Sequence, residues 1–189
     1  KHYQTGETIP AEMIEKLEAA SQFNQGYDFG EVVEAALLDM KWAALSQEEA
    51  AAIDTPEEVS QFERQSLEQL GLEIDLVPPR YRTTYFNHIF SSPSGYSAGY
   101  YSYLWTEMLD RDSRKWFMDN GGLTRANGDH YRKTVLSTGG TMDYFEMFRN
   151  FAGREPDVTP MLEARGLIAG GEAADSEVSD GALPPQTTP

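Results

Sequence analysis

Residues 55–71 read TPEEVSQFERQSLEQLG and carry the clearest helix-start signal in the chain. Thr55 offers a hydroxyl cap, Pro56 suits the first helical position, and the acidic pair Glu57-Glu58 lies in the first turn, where the helix dipole stabilises negative charge. At the other end, Gly71 lacks a Cβ and suits a left-handed terminator. The stretch therefore predicts a helix that runs from Pro56 to Gly71.

Helical patterns also precede this stretch. After Pro10, apolar residues recur at helical spacing until Asn24-Gln25-Gly26 interrupts them. Asp28 and Glu31 stand three residues apart in front of a second apolar run, which is typical of a capping box. We therefore predict two helices before residue 55, the second of them capped by Asp28. The apolar positions of the first helix are Met13, Ile14, Leu17 and Ala20.

Further helices are predicted after residue 71. One is expected over residues 80–90, and the longest is expected from Tyr96 to Met118, ended by Asn120-Gly121-Gly122. Three shorter helices follow. Their predicted caps and terminators are Thr124, Gly139-Gly140, Asp143, Gly153 and Gly166.

The class predicted from these patterns is all-α, as one multi-helix domain over residues 1–168. Ile74–Val77 reads as a short extended piece stopped by Pro78-Pro79, and no convincing strand alternation or internal repeat is present. Residues 169–189 contain acidic residues and prolines but no Lys or Arg. This composition predicts a disordered acidic tail.

Composition excludes several classes of protein. The 189 residues carry a net charge of −16 and no cysteine, which argues against nucleic-acid binding and rules out disulfides and thiolate chemistry. No apolar run is long enough to span a membrane. The first residues show no targeting signal, and both the cytoplasm and the periplasm remain open as compartments.

The chain's own residues do not form a complete catalytic motif. Its histidines are His2, His88 and His130, and no two of them have the i, i+4 spacing of H-E-x-x-H. A nucleophile elbow and a phosphate-binding glycine loop are also missing. The sequence therefore predicts no metal site within this chain.

The stretch from His88 to Trp105 is the strongest candidate for a functional site. If residues 96–105 are helical, Tyr96, Tyr100 and Tyr103 lie within an arc of roughly 60°. A row of tyrosines is often half-buried core with wet hydroxyl groups. The small residues Gly95 and Gly99 favour a functional interpretation, because they leave room for a ligand backbone.

Phenol groups in such a row could donate hydrogen bonds to an oxyanion, since their ordinary pKa near 10 keeps them protonated. His88, a few residues upstream, could add another donor. From spacing alone, a structural role for His88 is equally open.

The segment Gly95-Tyr96-Ser97-Ala98-Gly99-Tyr100-Tyr101-Ser102-Tyr103-Leu104-Trp105 resembles the closing part of the thimet oligopeptidase and peptidyl-dipeptidase family, which has a His and a glycine-rich loop before Gly-Tyr-x-Ala-x-Tyr-Tyr-x-Tyr-Leu-Trp. The similarity extends from about Tyr3 to Leu167. It includes Phe23-Asn24-Gln25-Gly26, Ala36-Leu37-Leu38-Asp39-Met40, Pro79-Arg80-Tyr81-Arg82, Asn120-Gly121-Gly122-Leu123, Gly153-Arg154-Glu155-Pro156-Asp157 and Arg165-Gly166-Leu167.

The resemblance implies a zinc metallopeptidase that hydrolyses short peptides between two helical halves. By this likeness Tyr100 and Tyr103 are catalytic oxyanion donors, and His88, Tyr96, Gly95 and Gly99 are substrate-binding. The loop is longer than in many members, and Pro93 would stiffen it. Around Phe86 and Ile89-Phe90 the sequence resembles the dipeptide-releasing members of the family, and this likeness favours the release of C-terminal dipeptides over internal cleavage, although both remain open.

In this family the zinc ligands lie upstream of the matching region. We therefore expect zinc only in a full-length enzyme, with its ligands outside this chain, and we expect the chain alone to be inactive without the N-terminal half of the same protein. The alternative is a non-catalytic helical module that binds peptides or another protein.

Overall fold

The computed structural model describes residues 1–92 and 94–168, and this part of the chain contains helices and no β-strand. A 3₁₀ turn (Thr83–Tyr85) precedes α5, and a π-helical turn (Arg132–Leu136) continues α7. The prediction of an all-α chain is confirmed. The helices are α1 (Ala11–Ser21), α2 (Gln25–Ala43), α3 (Gln47–Ala51), α4 (Pro56–Gln69), α5 (Asn87–Phe90), α6 (Ser102–Asp119), α7 (Arg125–Tyr131), α8 (Tyr144–Ala152) and α9 (Thr159–Ala164).

Two predictions fall on residues outside the described part of the chain. One is the disordered acidic tail at 169–189, and the other is the stiffening of the loop by Pro93. Within the described part, no helix is both long and apolar enough to cross a membrane.

Helix caps lie where the sequence predicts them. The Thr55 hydroxyl accepts a hydrogen bond from the Glu58 amide at 3.2 Å, and the Thr55 amide donates to the Glu58 carboxylate at 3.0 Å, which completes a capping box. Thr124 and Asp143 cap α7 and α8 in the same way through their side-chain oxygens. Gly71 follows α4 with φ +69°, a conformation that favours glycine.

The predicted cap at Asp28 is wrong. Helix α2 begins four residues earlier than predicted, at Gln25, because Asn24 adopts φ +58° and turns the chain there. Asn tolerates this left-handed conformation better than most residues. Asp28 therefore lies in the first turn of the helix and does not cap it.

The segment around residues 74–90 also differs from the prediction. Residues 74–77 form a turn closed by the Val77 amide on the Ile74 carbonyl at 2.9 Å, not an extended piece. The helix expected over 80–90 is broken into the 3₁₀ turn and α5. Contacts with other helices account for the break, since the Thr83 amide donates to the buried Glu63 carboxylate at 2.8 Å.

Helix α2 forms one wall of the core that supports the candidate site. Its small residues Ala35 and Ala36 are buried against Phe86, Ile89 and Tyr100. Alanine at these two positions lets bulky rings approach the helix backbone closely. The partly buried residues that complete this cluster are Val32, Trp42 and Tyr81.

Two arginines, which follow α8 and α9, form hydrogen bonds with acidic residues of α6. Asp112 is fully buried and accepts hydrogen bonds from the Arg154 guanidinium and, at 2.7 Å, from the Asp157 amide. Arg165 binds both carboxylate oxygens of Glu107, donates to Gln25 at 2.9 Å, and lies over the Phe29 ring. These contacts give the family-like segments at 153–157 and 165–167 a structural role.

Helix α1 has the predicted apolar positions, but they face solvent. Met13, Ile14 and Leu17 are exposed, as is Phe23 after the helix. No residue of α1 is buried within the described chain. The helix forms as predicted, and its apolar side stays exposed in the described part of the chain.

Replacing Asp112 with Ala should lower the free energy of unfolding by about 2 to 4 kcal/mol, because it leaves Arg154 and the Asp157 amide without their acceptor. Asp119→Ala on the same helix is the control. Its ion pair with Lys115 is exposed and contributes no more than about 0.5 kcal/mol. Chemical denaturation of the protein measures both; equal effects would contradict the assignment.

Glu34 should make stability depend on pH. Its side chain is buried on α2, and burial raises its pKa from 4.5 to about 7, opposed by the nearby Arg82 charge. The folded state thus binds the proton more tightly, so this group's contribution falls as the pH rises from 4.5 to 7.

At pH 8, Glu34→Gln should remove this loss and raise the free energy of unfolding by at most about 3 kcal/mol relative to the unchanged protein. The unfolding temperature should rise accordingly. At pH 4 the two proteins should be similar. The exposed Glu15→Gln is the control, with no effect on the pH profile. A parallel profile for Glu34→Gln and the unchanged protein would show that Glu34 is ionised in the fold.

Candidate active site

The long helix predicted from Tyr96 begins only at Ser102. Residues 97–101 form consecutive turns instead, after a bend at Tyr96, and Ala98 has φ +55°. Two backbone amides of this segment, those of Ala98 and Tyr100, donate to the Asp39 carboxylate at 2.8 and 2.9 Å. The prediction that the three tyrosines share one continuous helix is therefore wrong, because a buried acid on α2 holds the backbone in a turn.

The tyrosine rings nevertheless converge. Tyr96 and Tyr103 stack with their ring centroids 5.8 Å apart and their planes only 7° from parallel. Tyr100 lies against Tyr103 at 5.0 Å. A turn followed by a helix thus brings together the same three rings that the continuous helix was expected to align.

The three phenol groups differ in exposure. Tyr100 is 6 % exposed, whereas Tyr96 and Tyr103 are 43 % and 45 % exposed. Burial raises the pKa of Tyr100 to about 12. Hydrogen bonding with Tyr96 raises the pKa of Tyr103 above its usual value. Both pKa shifts favour the protonated phenol, which is the form that donates a hydrogen bond.

His88 lies in this cluster as well. Its ring is 5.7 Å from Tyr96, 5.5 Å from Tyr100 and 4.6 Å from Tyr81, measured between centroids. Its carbonyl accepts a hydrogen bond from the Tyr96 amide at 3.0 Å. The buried Nδ1 atom has no hydrogen-bond partner among the described residues. His88 is therefore held by ring packing, with one polar atom unused.

Gly95 and Gly99 both lie in tight turns. The Gly95 amide donates to the Ser92 carbonyl at 3.0 Å, and the Gly99 amide donates to the Tyr96 carbonyl at 2.6 Å. A Cβ on either glycine would come within 3.1 Å of those same carbonyl oxygens. The missing side chains therefore allow the turns to close, which is a structural reason for glycine beside the predicted substrate role.

Sequence reasoning missed two residues of the site, Tyr81 and Asp39. Tyr81 stacks on Phe86 with centroids 5.2 Å apart and also contacts Tyr100. Asp39 is 1 % exposed. The sequence does contain an indication for Asp39. It follows Ala35 and Ala36 at i+4 and i+3 on the apolar face of α2, where an acidic residue is unusual.

The part of the chain that the structure describes has no group of three or more His, Cys, Asp or Glu side chains that could hold a metal ion. The donors needed for a zinc site are therefore not assembled by residues 1–92 and 94–168. What these residues do assemble is a set of protonated phenols and one imidazole beside a turn.

Comparison with known proteins supplies the context for this cluster. The model of peptidase family M3 matches residues 1–167. The chain is 44 % identical over 167 residues to dipeptidyl carboxypeptidase of Escherichia coli K12, covering 88 % of this chain and 24 % of that protein. It is 45 % identical over 167 residues to dipeptidyl carboxypeptidase of Salmonella typhimurium, with the same coverage of each chain.

Oligopeptidase A of Escherichia coli K12 is 31 % identical over 171 residues, covering 88 % of this chain and 23 % of that protein. The chain thus spans about a quarter of the length of these relatives. Because the family match covers nearly all the described helices, including the tyrosine cluster, the chain belongs to peptidase family M3.

Proposed function

We propose that this chain is the C-terminal part of the catalytic domain of a zinc metallopeptidase that hydrolyses short peptides. The observation that carries the proposal is the convergence of Tyr96, Tyr100, Tyr103 and His88 beside a turn, with two phenols open to solvent. Family membership supports it, because the matching relatives are named as peptidases. Zinc would polarise the scissile carbonyl, and its ligands would lie outside the described residues.

In this proposal the phenols stabilise negative charge on the substrate. When a peptide carbonyl is attacked, its oxygen becomes an oxyanion that hydrogen-bond donors can stabilise. Tyr103 is the accessible donor, and the more buried Tyr100 stays protonated beside it. Tyr96, His88, Gly95 and Gly99 would contact the substrate backbone. Their place around the same turn supports this assignment.

Release of C-terminal dipeptides is the favoured reaction. The two relatives named dipeptidyl carboxypeptidase are 44 % and 45 % identical to this chain, whereas the relatives with oligopeptidase A in their names are 30 % to 34 % identical. Oligoendopeptidase activity is the second possibility. A set of peptides cleaved by the full-length enzyme distinguishes them, since successive dipeptide release gives free dipeptides and peptides shortened by multiples of two residues from the C-terminus, whereas internal cleavage gives longer fragments.

The rest of the same polypeptide is the proposed structural partner. Helix α1 exposes Met13, Ile14 and Leu17, and a row of apolar residues on one helix face is normally covered. The curated relatives are about four times as long as the matching region. Packing of the preceding part of the protein on α1 would cover this face.

A non-catalytic module that binds peptides is the alternative function. The exposed pair Tyr96 and Tyr103 supports it, because stacked phenols can bind a peptide without cleaving it. The upstream coding sequence separates the two proposals. H-E-x-x-H followed by a third acidic ligand supports the peptidase, and its absence supports the binding module.

Tyr103→Phe in the full-length enzyme should lower kcat about 100-fold with little change in KM, because it removes a donor that acts on the oxyanion. Tyr101→Phe is the matched control, since Tyr101 is 48 % exposed and lies outside the ring cluster. Steady-state kinetics on a short peptide measures both. Tyr100→Phe tests the second predicted donor, and unchanged kcat in both variants would remove the oxyanion role.

Residues 1–189 alone should not hydrolyse a short peptide, with or without added zinc. The described residues assemble no group of ligands for the metal. Product formation followed by mass spectrometry checks this, with the full-length enzyme as the positive control. Zinc-dependent hydrolysis by the isolated chain would show that the metal site lies within it.

A further inference from the structure

The buried carboxylate of Asp39 accepts hydrogen bonds from the turn that carries the tyrosines. It belongs to α2, 57 residues before the first tyrosine of the cluster, and only 1 % of its surface is exposed. Its Oδ1 accepts from the Ala98 amide at 2.8 Å and its Oδ2 from the Tyr100 amide at 2.9 Å. Each oxygen of the carboxylate thus accepts a hydrogen bond from a different backbone amide of the same turn.

Two amides that point at one anion form a backbone nest, a geometry that other proteins use to bind phosphates and carboxylates. Here the anion is supplied by the protein itself. The charge strengthens both hydrogen bonds relative to a neutral acceptor. Asp39 therefore specifies the direction of the backbone between Ala98 and Tyr100.

The turn needs such support because Ala98 has φ +55°. This conformation is costly for a residue with a Cβ, and it persists only where the surroundings impose it. If residue 98 relaxed to ordinary helical angles, α6 could extend toward Tyr96. Tyr96 would then leave its stacked position on Tyr103.

From these contacts we infer that Asp39 is a positioning residue for the tyrosine cluster, acting through the backbone of residues 98–100. The inference rests on the proposed peptidase function and adds to it a residue outside the cluster itself. Asp39 touches no substrate in this assignment. Its role is to fix the turn that separates Tyr96 from the start of α6, so that the Tyr96 ring can stack on the Tyr103 ring with their centroids 5.8 Å apart.

The principal test is Asp39→Asn in the full-length enzyme. The amide keeps one acceptor oxygen but places an NH₂ group against the other backbone amide. We expect kcat on a short peptide to fall 10- to 100-fold through misplacement of the phenols. We also expect faster hydrogen exchange at the amides of residues 98 and 100.

Asp112→Asn is the matched control. Asp112 is as deeply buried as Asp39 and also accepts from a backbone amide, but that amide belongs to Asp157, away from the turn. It should lose stability while the folded enzyme keeps its kcat. Equal losses of kcat in the two variants would reduce Asp39 to a general stability role and overturn the inference.

Rescue separates positioning from simple destabilisation. Ala98→Gly removes the cost of the left-handed conformation, so it should restore part of the lost kcat in the Asp39→Asn background. If Asp39→Asn does not fold, Ala98→Val strains the same turn without altering Asp39 and should lower kcat similarly. Unchanged kcat in Asp39→Asn, or in Ala98→Val where that replaces it, overturns the inference.

These outcomes can be told apart from failure of the proposed function. If Tyr103→Phe and Tyr100→Phe leave kcat unchanged, the oxyanion role of the cluster is lost whatever Asp39 does. If Tyr103→Phe lowers kcat and Asp39→Asn does not, the cluster keeps its role and only the positioning by Asp39 is wrong.

Discussion

The turn that carries the tyrosines depends on the Asp39 carboxylate, which accepts hydrogen bonds from two of its backbone amides. A buried acid without a cation beside it is tolerated when its oxygens accept strong hydrogen bonds. Here those bonds fix a turn in which Ala98 takes an unfavourable backbone conformation. Tyr96 lies before that turn and Tyr103 lies after it, and their rings stack with centroids 5.8 Å apart.

Helix α2 acts as the template for the whole segment between residues 80 and 100. Near its start the Glu31 carbonyl accepts from the Arg80 amide at 2.7 Å. Near its end the Trp42 indole donates to the Thr83 hydroxyl at 3.0 Å. Asp39 lies between these two contacts. An irregular segment is therefore held against a regular helix by polar contacts at several points, and its aromatic side chains fill the space between them.

The predictable part of the structure is the part governed by local rules. The capping box at Thr55 and the terminator at Gly71 depend on neighbours within a turn, so the sequence shows them directly. The start of α6 depends on Asp39, which is 63 residues away from Ser102 in the chain, and local periodicity carries no information about such a contact. The resemblance predicts which tyrosines belong to the cluster. The turn, the burial of Tyr100 and the contact with Asp39 could not be predicted in this way.

The hydrogen bonds of Arg165 bear on how the protein folds. Its guanidinium joins Gln25, 140 residues earlier at the start of α2, to Glu107 on α6, so both helices are linked to the segment that follows α9. Contacts between residues this far apart raise the contact order of a chain, and chains of higher contact order fold more slowly. Truncation of the chain before Arg165 would remove this link and leave Gln25 and Glu107 without their shared cation.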